Sequence, residues 1–359
     1  MFAKKNVVAA AALTLLAVAA QAQVTVYGTL DASIGRKQQL DGTVDANGKL
    51  GKTSSTNVDS SDMSQSFIGF KGQEDLGGGL KAVFKLESEL GVDTGRATGD
   101  TFWNRNATVG LAGDFGAVNL GRFENLFKLE GQAFNPFGAS ATFSPTFRAS
   151  GLAGSDSWSN GISYVSPNLG GLTLSAQYSA KEAAKATATS YSGGAVALSA
   201  NYTAGPLGLS AVIADFRSAD PATAAGPAGP AEKGRPWLLG ASYDFGILKL
   251  YGQYGQEKTT EKGVGGSSKL KGFQVGAGIP VAADGTVLVS YGEGKSTFNT
   301  TPASSGKARD VSLGYTHNVS KRTNVYAALI NERASATVSG VGTAKGTINS
   351  FAVGVRHAF

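Results

Sequence analysis

Beyond Gln23 the chain is written in runs of about ten residues whose apolar and polar positions alternate, the period of an extended strand. Leu172, Leu174, Ala176 and Tyr178 alternate with Thr173, Ser175 and Gln177. Phe273, Val275, Ala277 and Ile279 alternate with Gly272, Gln274, Gly276 and Gly278. Val311, Leu313 and Tyr315 alternate with Asp310, Ser312, Gly314 and Thr316. Near the end Phe351, Val353, Val355 and Phe359 oppose Ser350, Ala352, Gly354 and Arg356. One face is aliphatic and finishes in aromatics; the other is Gly, Ser, Thr, Gln and charge.

The connections between runs alternate in length. Short ones fall at 75–79, 113–116, 167–171, 204–206, 245–246, 281–285 and 320–322. Long ones lie near 38–62, 91–100, 123–157, 182–189, 218–233, 258–269, 297–306 and 334–346. This pattern predicts sixteen strands, the first at about 24–37, 63–74 and 80–90 and the last at 347–359, with both ends on the short-turn side. The low-complexity stretch Pro221–Pro230 has strands on both sides, so it reads as a loop within one domain rather than a linker.

Two apolar–polar faces per strand suit a sheet that crosses a lipid bilayer. In hydrocarbon every backbone N–H and C=O must be paired, so a sheet can span only if it closes and leaves no edge. The expected fold is therefore an all-β, sixteen-stranded antiparallel transmembrane β-barrel, apolar outside and polar inside, with short periplasmic turns and long extracellular loops. A barrel of this size leaves an aqueous channel, whereas eight strands fill their own interior. Tyr164, Tyr178, Tyr202, Tyr243, Tyr254, Tyr291, Tyr315 and Phe359 fall near strand ends in the apolar phase, where interfacial aromatic girdles belong.

Composition agrees with that reading once its two faces are considered. Mean hydropathy is −0.06, the average of a greasy face and a wet one. The 50 glycines have no collagen-like period and fit turns and an open lumen wall. Residues 1–22 begin with Lys4 and Lys5, continue as an apolar run from Val7 to Ala20 and end in Ala20-Gln21-Ala22, the pattern of a secretory signal peptide. That run is too short for a membrane helix. Its removal lowers the formal net charge of +6 by two, which leaves nothing that argues for nucleic acid. The domain expectation is thus 1–22 signal peptide and 23–359 barrel. With no cysteine there is neither a disulfide framework nor a thiol nucleophile. His317 and His357 stand in no metal-ligand or triad spacing. Gly276-Ala-Gly278 lies inside an alternating strand and lacks the strand-then-helix setting of a dinucleotide site. No enzyme activity, metal or cofactor is expected.

Several segments resemble the Gram-negative general porins of the Burkholderia, Bordetella and Neisseria branch. Tyr27-Gly-Thr-Leu-Asp31 is similar to their opening strand, and Ile68 to Ala82 to their second strand, tight turn and third strand. Asn104 to Leu111, Leu120-Gly-Arg122, Ile162 to Pro167, Tyr315 to Thr323 and Val353 to Phe359 continue the series. The resemblance implies a homotrimer in the cell outer membrane, a third loop folded inward as a constriction, and Phe359 as the assembly signal read by insertion machinery. It implies passive passage of ions and small hydrophilic solutes. A substrate-selective channel and a plugged structural or adhesive barrel are the alternatives.

The candidate site follows from phase and loop length. Lys81 and Lys85 are out of phase with Leu80, Ala82, Phe84 and Leu86, hence inward, and Lys71 follows the same logic against Ile68 and Phe70. Arg105 is placed inward by the resemblance, and Arg122 is ambiguous because it shares phase with Leu120. The longest connection is the third long loop and carries Glu124, Lys128, Glu130 and Arg148 among Phe127, Phe134, Phe137, Phe143 and Phe147. Its phenylalanines are expected to anchor it on the wall while its carboxylates face basic wall residues across a narrow gap. Phe67 and Ser157 stand where anion-selective relatives carry arginine, so only weak charge selectivity is expected. Asn104, Asn106 and Thr108 read as polar residues on the lipid face, which either a subunit contact or a flipped register would explain.

Overall fold

The computed structural model of the chain describes residues 23–99, 101–145, 157–180, 194–218, 231–262, 266–299 and 302–359. Residues 1–22, expected to be a signal peptide, lie outside the described residues. Along the first half run β1 (Gln23–Val44), β2 (Leu50–Ser60), β3 (Phe67–Gly77), β4 (Leu80–Gly91), β5 (Arg96–Ala97), β6 (Asn106–Gly113), β7 (Gly116–Glu124), helix α1 (Leu126–Ala133), β8 (Ser157–Val165) and β9 (Leu172–Ser179). The second half is strand throughout: β10 (Ala195–Ala204), β11 (Leu207–Ser218), β12 (Ala231–Asp244), β13 (Lys249–Lys262), β14 (Ser267–Ala282), β15 (Gly285–Asn299), β16 (Ser304–Asn318), β17 (Thr323–Val338) and β18 (Gly342–Ala358).

Each wall strand pairs antiparallel with the next, and the ring closes on β1. One edge of β1 pairs with β18 from Thr29↔Ala358 to Arg36↔Phe351; the other pairs with β3 from Gln23↔Gln73 to Thr29↔Phe67. β2 folds back on the upper part of β1, and β5 adds two residues to β4, so neither joins the wall. Sixteen strands remain, forming a closed barrel. Closure satisfies every ladder position and leaves no edge for lipid to meet. The short turns sit at the expected places: β3 to β4 turns through Gly77, Gly78 and Gly79, all at positive φ, with Asp75 accepting from the Gly77 N–H at 2.8 Å.

The long connections differ from expectation in extent. β13 reaches Lys262 before β14 starts at Ser267, and β17 reaches Val338 before β18 starts at Gly342. Beyond the lipid belt both faces meet water, so polar residues fill both and the alternation disappears. The hydrogen-bond ladder has no reason to stop there, and the hairpins continue.

Outward positions are the apolar ones. Val26, Val109, Ile162, Ile213, Leu239, Val275, Val311 and Val353 are all exposed, a belt that no water-soluble surface would tolerate. Tyr202, Tyr243, Tyr315 and Phe359 border this belt at the short-turn end, and Tyr178 and Tyr254 at the loop end. Inward positions are polar: Gln177, Ser199, Ser210, Gln253, Gln274, Ser290 and Ser312. On β6 the register pairs Asn106 with Glu87 and Thr108 with Lys85, both inward, while Val109 and Leu111 face out. The lipid-face reading of Asn106 and Thr108 is therefore corrected; the chain enters β6 one residue out of the phase that Arg105 suggests. Asn104 precedes the strand and caps its neighbours, accepting from the Glu89 N–H and donating to the Thr98 carbonyl.

Candidate channel constriction

After β7 the chain turns into the barrel. Asn125 accepts from the Lys128 N–H at 2.7 Å and starts α1. Gln177 on β9 holds the entry from both sides, accepting from the Leu126 N–H at 2.9 Å and donating to the Glu124 carbonyl at 3.0 Å. Phe123, Leu126 and Phe127 pack with Trp158, Ala197, Val212 and Leu238 into an apolar cluster on the inner wall. Gln253 then donates to the carbonyls of Gly131 and Phe134 at 2.9 and 2.6 Å.

Beyond the helix the loop's rings sit on glycines of the wall. A Cβ on Gly240 would stand 2.7 Å from Phe134; one on Gly276, 2.7 Å from Pro136; one on Gly314, 2.9 Å from Phe137; one on Gly292, 2.6 Å from Pro145. These inward glycines are sockets rather than water-lined space. Phe137 and Phe143 join Met63, Leu288, Tyr326 and Ile330 in a second cluster. At the far wall Ser140 donates to the Asp62 carbonyl at 2.5 Å and Thr142 to the Asp62 carboxylate at 2.7 Å. Asp62 is held in turn by Lys37 at 2.5 Å and by Ser33 at 2.6 Å. Beside it the buried Asp31 accepts from the Met63 and Ser64 N–H groups and from the Tyr326 hydroxyl. From Asn125 to Pro145 the segment is thus fastened across the lumen.

Charge gathers where the segment starts. Glu87 on β4 accepts from the Tyr27 hydroxyl at 2.6 Å and from the Asn106 amide, and pairs with Lys85 at 3.0 Å. Arg105 spans two carboxylates, 3.7 Å from Glu87 and 3.2 Å from Glu124, while donating to Gln65 and lying over the Phe67 ring. Lys128 pairs with Glu124 at 3.2 Å and donates to Gln65. Lys71 lies over the Tyr27 ring, directly opposite Lys85 in the ladder. Burial of Glu87 and Glu124 is compensated by these partners; alone, either carboxylate would carry a large desolvation cost.

Lys71, Lys85, Arg105 and Glu124 are thus brought together. Lys81 also faces inward but lies opposite Asp75, four residues or about 13 Å nearer the short-turn end. Arg122 sits elsewhere: it pairs with Ala107 in the outward phase and donates to the Asn104 carbonyl and the Ser159 hydroxyl, because shared phase with Leu120 fixes its side. Glu130 does not face the gap either. It turns back to the wall, accepting from Asn201 at 2.7 Å and Ser210 at 2.8 Å, because the helix presents that side to β10 and β11. Arg148 and Phe147 lie outside the described residues. Phe359 seals the seam by exchanging backbone hydrogen bonds with Gly28 at 3.1 and 3.2 Å. Sequence reasoning missed Glu87, whose inward phase beside Lys85 was legible, and Gln65 and Asp62, which precede β3 outside any alternation.

A closed sixteen-stranded barrel with an apolar outer belt, a polar lumen and an internal segment is a channel of the Gram-negative outer membrane. The chain belongs to the Gram-negative porin family, whose model matches residues 9–337. It is 34% identical over 387 residues to outer membrane porin protein 32 of Delftia acidovorans, covering 99% of this chain and 100% of that one. It is 30% identical, at the same coverage, to an outer membrane porin protein of Bordetella pertussis. Among solved structures it is similar to an anion-selective porin from Comamonas acidovorans, with a TM-score of 0.76 and 30% identity over 94% of this chain and 100% of that one. The chain is accordingly an outer-membrane porin.

Proposed function

We propose that this porin is a passive, water-filled channel for ions and small hydrophilic solutes, narrowed by the segment from Asn125 onward and weakly selective for anions. The observation that carries the sign is the charge balance on one side of the lumen. Among the described residues Lys71, Lys85, Arg105 and Lys128 cluster with Glu87 and Glu124, four cations to two carboxylates, while Lys81 below them is matched by Asp75. A positive excess in a confined, partly dehydrated passage raises the local concentration of anions. Weakness follows from the same contacts, since both carboxylates are bound to the cations. Phe67 contributes a ring beneath Arg105 in place of another charge. The Comamonas acidovorans relative, described as anion-selective, supports the sign.

Residues 1–22 act as an export signal and 23–359 as the barrel domain in this reading, and Phe359 as the residue by which the barrel is recognised for insertion. The working form is a homotrimer. Exposed Ile34, Val58 and Val353 on the β1–β18 side, and Phe102 packed on Trp103 at the loop end, give subunits an apolar face to bury. The deciding experiment is the reversal potential of the purified protein in planar bilayers under a salt gradient. Discrete conductance steps with an anion-directed potential are expected; a cation-directed potential defeats the assignment of sign, and absence of steps defeats the open channel.

A further inference from the structure

Outside the lumen, one stretch of the barrel's outer face is charged. Outward phase on β12 to β16 is fixed by exposed Leu239, Tyr254, Val275 and Val311. Followed toward the loop end, that phase meets an aromatic row, with Trp237 on Tyr254 at 5.5 Å and Phe273 on Tyr291 at 5.9 Å. Two to four residues further, about 7–13 Å along the strands, it becomes basic at Arg235, Lys258, Lys271 and Lys295, past Gln256 on β13 and Glu293 on β15. The ladder places Lys258 directly between Arg235 and Lys269, and Lys295 directly between Lys271 and Lys307. Beyond these rungs Arg217 faces Lys233 and Arg309 faces Arg333.

Like charges opposite one another on a sheet are destabilising, and here they recur on neighbouring strands. Two carboxylates relieve the flanks only. Asp215 serves Lys233 and Arg235 at 3.1 and 3.0 Å, and Glu293 serves Lys307 and Arg309 at 2.7 and 2.9 Å. Lys258, Lys269, Lys271 and Lys295 are exposed and have no ion pair among the described residues. Among the described residues nothing neutralises these four lysines, which leaves them open to a counter-charge from outside the chain. A second copy applied by this face would bring cation against cation. A soluble anion gains nothing from a position just above the aromatic row that borders hydrocarbon.

We propose that this face binds the phosphate groups of lipid headgroups in the surrounding leaflet, each lysine rung clasping phosphate while the acyl chains lie along the apolar belt below. Basic side chains at a membrane surface attract anionic lipid in this way.

Trp237 reports the site directly. The protein is reconstituted in phosphatidylcholine vesicles containing a fixed fraction of dibrominated lipid, either phosphatidic acid or phosphatidylcholine. The Trp237→Phe protein is subtracted to isolate the Trp237 signal. Quenching is expected to report roughly fivefold or greater enrichment of the phosphatidic acid around Trp237. A Lys258→Gln, Lys269→Gln, Lys271→Gln, Lys295→Gln protein should lose that enrichment and keep its conductance, since none of the four faces the lumen. The separate pair Lys271→Gln and Lys295→Gln gives the same test if the fourfold variant assembles poorly. Equal quenching by the two lipids, or enrichment that survives in the variants, overturns the proposal. So does stabilisation of the detergent-solubilised protein by inorganic phosphate that matches the effect of phosphatidic acid, which would assign the site to the free ion.

Discussion

Thr142 donates its hydroxyl to the carboxylate of Asp62 at 2.7 Å, joining the in-folded segment to the wall 80 residues away in the chain. Asp62 is almost fully buried; Lys37 pairs with the same carboxylate oxygen, and Ser33 holds the other. The internal segment is therefore tied at both ends, by Gln177 where it begins and by Asp62 where it crosses.

Asp62→Ala should release the far end. It removes the acceptor of Thr142 and leaves Lys37 without its nearer partner, a change of about 1–3 kcal/mol for a buried charged contact. Single-channel recordings should show greater open-channel noise and closure at lower voltage than the parent, with assembly retained. Unchanged traces would mean the segment is held by its phenylalanines alone.

Gly240 and Gly276 are sockets for Phe134 and Pro136, so a side chain there must displace the segment. Gly240→Val or Gly276→Val should alter conductance and lower thermal stability by about 1–3 kcal/mol, the usual cost of overpacking. Gly252, with nothing near its Cβ position, is the control and should tolerate alanine.

Lys85→Gln and Arg105→Gln should each lower the anion-to-cation permeability ratio, while Glu87→Gln and Glu124→Gln should raise it. A unit charge about 4 Å from a passing ion is worth about 1 kcal/mol in water, which is up to roughly fivefold in the ratio. Lys81→Gln lies outside the cluster and should act more weakly, and Arg122→Gln, on the outer face, should not change the reversal potential.

Glu130 gives the opposite contrast. Its two acceptor bonds run to Asn201 and Ser210 behind the helix. Glu130→Gln should leave selectivity nearly unchanged. Glu130→Ala should reduce stability by about 1–3 kcal/mol through the buried donors it strands, read as a lower unfolding temperature of the folded barrel.

Deleting Phe359 removes both backbone bonds to Gly28 and the ring that lies against that glycine. Refolding into detergent should slow and the yield of closed barrel should fall, followed by gel mobility. Phe359→Tyr should retain most of the yield.

The sequence by itself determined the barrel. Period-two alternation and the regular exchange of short and long connections are local properties, and closure is the one way such strands satisfy their backbones in lipid. The inward phase of Lys71, Lys81 and Lys85 came from the same arithmetic. Tertiary structure decided everything that depends on where an irregular segment lies. No period marks residues 125–145, so only the fold shows that Glu130 turns to the wall, that Glu124 meets Arg105, and that Asp62 receives Thr142. The outer basic rungs belong to the same class: each lysine looks like an ordinary surface charge along the chain, and only register across neighbouring strands sets Lys258 beside Lys269 and Lys271 beside Lys295.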